Sequence, residues 1–270
     1  MMMQQPEARP STVLPRLVRR AEAMEAGLRA VAEEIAVALT YGSATHAVMM
    51  ATPADLEDLG LGFSLTEGLI GQPEELTALE VLSRPGGIEV RMELAEPREA
   101  ALSRRRRRLA GPLGCGLCGI ESLSEAARDL PAVTATASLP AAEIGAAMAA
   151  LAEGQALHRE THAAHAAGFW SPGRGLLALR EDVGRHNALD KLAGALTRGG
   201  LNPAGGAVAL TSRVSVEMVQ KTALLGAPLL LAVSAPTALA VRVAEACGIT
   251  LVALARGSGF EVFTHPWRIT

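Results

Sequence analysis

Two cysteines separated by two residues, Cys115 and Cys118 in the segment GPLGCGLCG, are the side chains in this sequence best suited to chemistry. That spacing lets a pair share a metal, close a disulfide, or pass sulfur between thiols. The thiolate is the reactive form, and nearby cations stabilise it. Five consecutive arginines, Arg104 to Arg108, lie just upstream. They could supply that field, dock an acidic partner, or simply form a solvated basic turn. Gly114, Gly116 and Gly119 leave the loop free to move and the sulfurs uncovered. A structural zinc site wants four ligands. The third cysteine, Cys247, sits at the end of an apolar helix, and His162 and His165 lie beyond ordinary finger spacing. No zinc is therefore expected. A zinc deaminase is also disfavoured, because there the cysteine pair follows the histidine, whereas here it precedes it.

Further polar groups gather in three segments. REDVGRHNALDK carries Asp182, Arg185, His186 and Asn187 where a strand passes into a helix. TSRVSVEM, with Arg213, and SAPT, from Ser234 to Thr237, repeat that layout. In open α/β sheets the carboxyl ends of strands form the ligand crevice, and helix N-termini offer free amides to anions. Asp182, Arg185, His186 and Asn187 are expected to face that crevice. In THAAHAA, His165 reads as an acid/base or phosphate contact and His162 as a packed histidine. Neither a P-loop nor GxGxxG is present, so ordinary ATP or NAD folds are not supported.

The elements that must hold these groups follow from composition and rhythm. The chain has 270 residues, nearly half apolar but only 3% aromatic, so its core is built from aliphatic layers. A net charge of −3 implies no global attraction to nucleic acid or membrane. No apolar run reaches the roughly 18 residues of a membrane span, and the N-terminus lacks a signal-peptide core. A cytoplasmic protein is expected. Residues 1–28 read as a flexible tail. Residues 29–110 read as a small α+β domain, with strands in VAEEIAVALTYG and HAVMMAT, a helix opened by Thr52-Pro53, and an alternating strand at Ile88, Val90, Met92 and Leu94. Residues 111–122 form a mobile cysteine loop. Residues 123–270 open on an amphipathic helix at 140–157 and continue as alternating strands and helices, an α/β domain with helices on a buried sheet.

Taken together these segments resemble the FdhD family of formate dehydrogenase accessory sulfurtransferases. The matching words are HAVMMATPADLEDLGLGFSLTEGLI, RRRRR, GCGLCGIESL, THAAHAA, REDVGRHNALDKL, TSRVSVEMVQK, SAPTALAV and ALARGSGFEVFT, over roughly residues 30–270. The resemblance implies a second domain like cytidine deaminase, with three layers, and a homodimer. It implies a sulfur carrier that takes persulfide sulfur from a cysteine desulfurase. The sulfur passes to the bis-molybdopterin guanine dinucleotide form of the molybdenum cofactor before that enters the formate dehydrogenase catalytic subunit. The family's persulfide cysteines fall on Cys115 and Cys118. Its cofactor-binding stretch falls on Leu254, Ala255, Arg256, Gly257, Ser258 and Gly259. Arg213, His165, Asp182 and His186 are expected to join it. The family commonly has Gly where His162 stands, so His162 is not carried over. Its C-terminal stretch usually begins with an aromatic and ends in a basic residue, where this chain has Leu254 and Gly259. A non-catalytic chaperone for the same cofactor and apoenzyme fits the strand-end residues equally well.

Overall fold

The computed structural model describes residues 9–100, 102 and 130–270. The expected cysteine loop, with Cys115, Cys118 and the five arginines, lies outside the described residues. The chain opens differently from expectation. In place of a flexible tail over 1–28, β1 (Ser11–Arg20) and β2 (Ala23–Ala32) pair antiparallel from Ser11–Ala32 at the base to Arg20–Ala23 at the tip. Scattered Pro and Arg give this segment the composition of a coil. Pro15 is tolerated because β1 is an edge strand, where no further ladder needs its missing N–H.

The first domain is a four-stranded sheet in the order β4–β3–β6–β5, formed by β3 (Ile35–Tyr41), β4 (Ala44–Ala51), β5 (Leu76–Arg84) and β6 (Gly87–Leu94). As the alternation predicts, β6 turns Val90, Met92 and Leu94 inward; they meet Val37 and Leu39 of β3. Helix α1 (Leu56–Thr66) closes this core with Leu56, Leu59 and Phe63. It does not begin at Thr52-Pro53. It begins after Asp55, which takes the left-handed conformation at φ 52° without a side-chain cap. Thr52 is unavailable as a cap because its polar groups are bonded to the second domain.

That domain is a six-stranded mixed sheet in the order β12–β11–β10–β9–β7–β8. The strands are β7 (His165–Ser171), β8 (Gly175–Asp182), β9 (Ala207–Leu210), β10 (Leu229–Ala232), β11 (Thr250–Arg256) and β12 (Gly259–Val262). Of the neighbouring pairs, β9–β10 and β10–β11 are parallel and the others antiparallel, so β8 runs in the same direction as β9, β10 and β11. Side chains alternate between two cores, as the two-residue period of a strand requires. Ala207, Ala209, Leu229 and Leu231 face Ile144, Met148 and Leu151 of helix α2 (Ala141–Gly154). Val208, Leu210, Leu230 and Ala232 face the other side. There they meet α4 (Arg185–Arg198), α5 (Val216–Leu225) and α6 (Ala238–Cys247), giving the expected three layers. The helix expected over 140–157 stops at Gly154 and restarts as α3 (Ala156–Thr161). The Glu181 carboxylate accepts from the Leu157 and His158 amides, both at 2.8 Å, and so satisfies the new first turn.

The domains meet where α1 crosses α4 at glycines. A β-carbon on Gly62 would overlap the Asp190 carbonyl, and one on Gly194 the Asp58 carbonyl. Only glycine permits so close a backbone approach.

Candidate functional site at the strand ends

One edge of the second sheet gathers most of the expected site residues. His165, at the start of β7, pairs with Asp182 at the end of β8. Ala167 pairs with Leu210, so the carboxyl end of β9 lies at this edge too. Thr211 continues the line, its hydroxyl accepting from the Ala166 amide at 2.9 Å. The next two strand ends are tied to it: the Val233 amide donates to Leu210 O and the Leu254 amide to Ser234 O. Helices α4, α5 and α6 all begin here, so their partly positive N-termini add to the field at this edge.

Among the described residues of this edge, Arg213 and Arg256 are exposed. Arg256 is steadied by one bond from Nε to Val233 O at 3.2 Å. The stretch Leu254–Gly259 comprises the end of β11, the turn at Gly257 and Ser258, and the first residue of β12. A register irregularity between Ala253 and Arg256 puts Leu254 in the left-handed region at φ 53°, and Gly257 follows at φ 58°. Leu254, Arg256, Gly257, Ser258 and Gly259 are thereby exposed, while Ala255 is buried.

Arg185 and His186 open α4 at this edge, half-buried. Arg185 Nε and His186 Nε2 are buried atoms with no hydrogen-bond partner among the described residues. Burial, then the charges of Arg185 and Lys221, push the His186 imidazole down to about 4, so at neutral pH it is uncharged. His165 is lowered as well, first by burial and then by Arg185 and His158.

Two expected contacts lie elsewhere. Asp182 and Asn187 do not face the crevice. Asp182 is fully buried, and its carboxylate accepts from Lys191 Nζ at 2.6 Å, Gly184 N at 2.8 Å, Asn187 Nδ2 at 2.9 Å and Thr52 N at 3.0 Å. Lys191 also donates to Thr52 O, and Thr52 Oγ1 accepts from the Val183 amide. Asn187 reaches Met50 O. The cluster therefore fastens the first domain to the second. Two more clusters do the same. Asp58 of α1 accepts from Arg180 at 2.8 Å and Arg198 at 2.9 Å. Lys221 of α5 donates to Glu67 at 2.6 Å and to Asp190 at 2.8 Å, and Thr66 also donates to Asp190. Burial works against the Lys221 ammonium, but Asp190 and Glu67 outweigh it and raise its pKa. Nothing in the local sequence marks Thr52, Thr66 or Lys221 as members of these clusters, because their partners in the other domain lie more than a hundred residues away.

His162 caps α3 in the left-handed conformation, φ 59°, a position that glycine fills without strain. The chain holds one His-x-Glu, the pattern of a zinc deaminase, at His158-Arg159-Glu160. Its members have other work: His158 Nδ1 lies 2.9 Å from Ala164 O, and Glu160 accepts from Ser11 Oγ at 3.2 Å. Among the described residues no group of three or more His, Cys, Asp or Glu is placed to hold a metal.

Residues 32–270 match the FdhD/NarQ family model. The chain belongs to the FdhD/NarQ family. It is 57% identical over 244 residues to a protein of Agrobacterium fabrum named sulfur carrier protein FdhD, with 90% of each chain covered. A Brucella abortus protein of the same name is 53% identical over 254 residues, covering 94% of each. A crystal structure described as a putative formate dehydrogenase accessory protein from Desulfotalea psychrophila superimposes with a TM-score of 0.76 at 28% identity. It covers 96% of this chain and 99% of that one. No helix among the described residues is long and apolar enough to cross a membrane.

Proposed function

We propose that this FdhD/NarQ family member is a sulfur carrier for formate dehydrogenase. In this reading it moves persulfide sulfur from a cysteine desulfurase to the bis-molybdopterin guanine dinucleotide molybdenum cofactor, its substrate, before insertion into the catalytic subunit. It does so in the cytoplasm, as a homodimer. The observation that carries the reading is a juxtaposition. The matched segment 32–270 contains the thiol pair Cys115 and Cys118, and the same segment folds a sheet edge suited to phosphates. Arg213, Arg256 and the half-buried Arg185 gather there with three helix N-termini. Guanidinium groups and free amides suit the phosphates of the guanine nucleotide arms.

Cys115 thiolate attacks the outer sulfur of the desulfurase persulfide. The S–S bond of the donor breaks, the desulfurase cysteine leaves as a thiolate, and Cys115 carries the outer sulfur. Cys118 can then attack the inner sulfur of Cys115. That closes a Cys115–Cys118 disulfide and expels hydrosulfide, with both electrons supplied by the thiol pair. The strand-end residues bind the acceptor and hold it through its nucleotide arms.

The test is mass spectrometry of the protein after incubation with a desulfurase and cysteine. The parent gains one sulfur atom, and Cys115→Ala does not. A Cys115→Ala protein that still gains it removes Cys115 as the acceptor.

A further inference from the structure

We infer that the β1–β2 hairpin is a dimerisation arm whose apolar face packs on the same face of a second copy of this chain. The inference rests on the homodimer of the proposed function and supplies its surface. The hairpin is a sheet of its own, joined to no other strand among the described residues. It touches the body through polar contacts at its base, Ser11 Oγ to Glu160 and Arg29 to Thr161 O. An isolated two-stranded hairpin is marginal in water. The arm also lies almost entirely ahead of the residues that match the family model.

Its two faces differ. Opposed residues of an antiparallel pair point to one side. The register therefore puts Val13, Pro15, Leu17 and Arg19 on one face with Ala30, Leu28, Ala26 and Met24. That face carries a single charge, at the tip, and its large side chains are open to solvent: Val13 59%, Leu17 68%, Leu28 69% and Met24 62% exposed. The other face is mixed: Leu14, Val18 and Val31 share it with Thr12, Arg16, Arg20, Glu25 and Arg29. The apolar face amounts to roughly 500 Å², a size at which exposed patches mark interaction surfaces. That would supply more than half of the ~800 Å² each partner buries in a stable interface.

The pattern of bulk selects a second copy as the occupant. Along the arm the larger residue of each pair switches strands: Val13 over Ala30, Leu28 over Pro15, Leu17 over Ala26. A two-fold axis parallel to the strands lays β1 of one copy over β2 of the other at the same height. Each large side chain then meets the small member of its own pair: Val13 meets Ala30 of the second copy, Leu28 meets Pro15, and Leu17 meets Ala26. The face is complementary to itself, as an isologous contact requires.

Sedimentation velocity on the full chain tests this with two variants. The parent sediments as a dimer. Leu17→Glu combined with Leu28→Glu sediments as a folded monomer, its far-ultraviolet spectrum changed only by the arm. Ala26→Leu fills the hollow that Leu17 needs and raises the dimer dissociation constant at least tenfold, although it adds apolar surface. A dimer that survives the double glutamate variant overturns the arm as interface and leaves the homodimer standing. A parent that is monomeric at tens of micromolar overturns both. An Ala26→Leu protein that dimerises as well as the parent or better overturns the proposed packing.

Discussion

Replacing Lys191 with Met should unfold the joint between the domains without touching the strand-end arginines. Lys191 and Asp182 are both fully buried, 2.6 Å apart. The substitution keeps the volume and removes the only cation that touches Asp182 among the described residues. Three N–H donors remain on the carboxylate, from Thr52, Gly184 and Asn187, so the anion stays solvated in part. Breaking a buried pair from one side costs about 3–5 kcal/mol. The Thr52 carbonyl also loses a donor at 2.9 Å, adding about 1 kcal/mol where the group stays dry. In a chain of this length each kcal/mol moves the melting temperature by about 2–4 °C, so a fall on the order of 10 °C is expected. Urea unfolding followed by circular dichroism gives the free energy directly. A cycle with Asp182→Asn should show a coupling of at least about 2 kcal/mol, because the second substitution removes a charge already stranded by the first. A Lys191→Met protein within about 1 kcal/mol of the parent would refute the claim that this pair locks the domains. So would an Asp182→Asn protein of parental stability that had lost affinity for a guanine nucleotide. That result would return Asp182 to the crevice.

Two further outcomes follow from the same geometry. Gly62→Ala drives a methyl into the Asp190 carbonyl with no side chain able to yield. It should cost about 3 kcal/mol or more in urea unfolding despite alanine's better helix propensity, against 1–3 kcal/mol for ordinary overpacking. His186, held down at about 4 by burial and neighbouring cations, binds a proton more readily unfolded than folded. Its contribution is therefore nil above pH 6.5, and stability falls as the pH drops from about 6.5 toward 4, by on the order of 3 kcal/mol in all. His186→Gln should flatten the pH 6.5 to 5.5 part of the profile, where ordinary carboxylates are still charged. An unchanged slope would mean that the imidazole is accessible to protons in the folded protein.

What the sequence conveyed depended on how local its causes were. The strands of the second domain were readable because GAVALTS and APLLLAVSA are buried on both faces, and continuous apolar runs announce that. Strand β7 was not readable. HAAGFWS is rich in Ala and Gly because Leu151 and Leu176 crowd Gly168, and such packing leaves no periodic signal. The arm was missed for the opposite reason: it buries so little that its composition resembles a coil. At the site, the edge that gathers His165, Arg213 and Arg256 followed from the general habit of α/β sheets. The division of labour within REDVGRHNALDK did not. A polar residue at a strand end reads the same whether it meets a ligand or a neighbouring domain, and only the position of Thr52 decides between them.

That division bears on how the site works. Of the polar residues from Arg180 to Lys191, Arg180, Asp182, Asn187, Asp190 and Lys191 all bond across or along the domain joint. Arg185 and His186 alone keep buried atoms without partners. The buried pairs fix the angle at which α4 presents these two residues beside β7. A hydrophobic seam of equal area would pack as tightly but would tolerate sliding, whereas a buried ion pair loses its partner on moving about one ångström. The glycine crossing at Gly62 and Gly194 removes the remaining freedom, since the backbones already touch. The joint therefore serves position more than stability: it holds the strand-end edge at one fixed setting relative to the first domain.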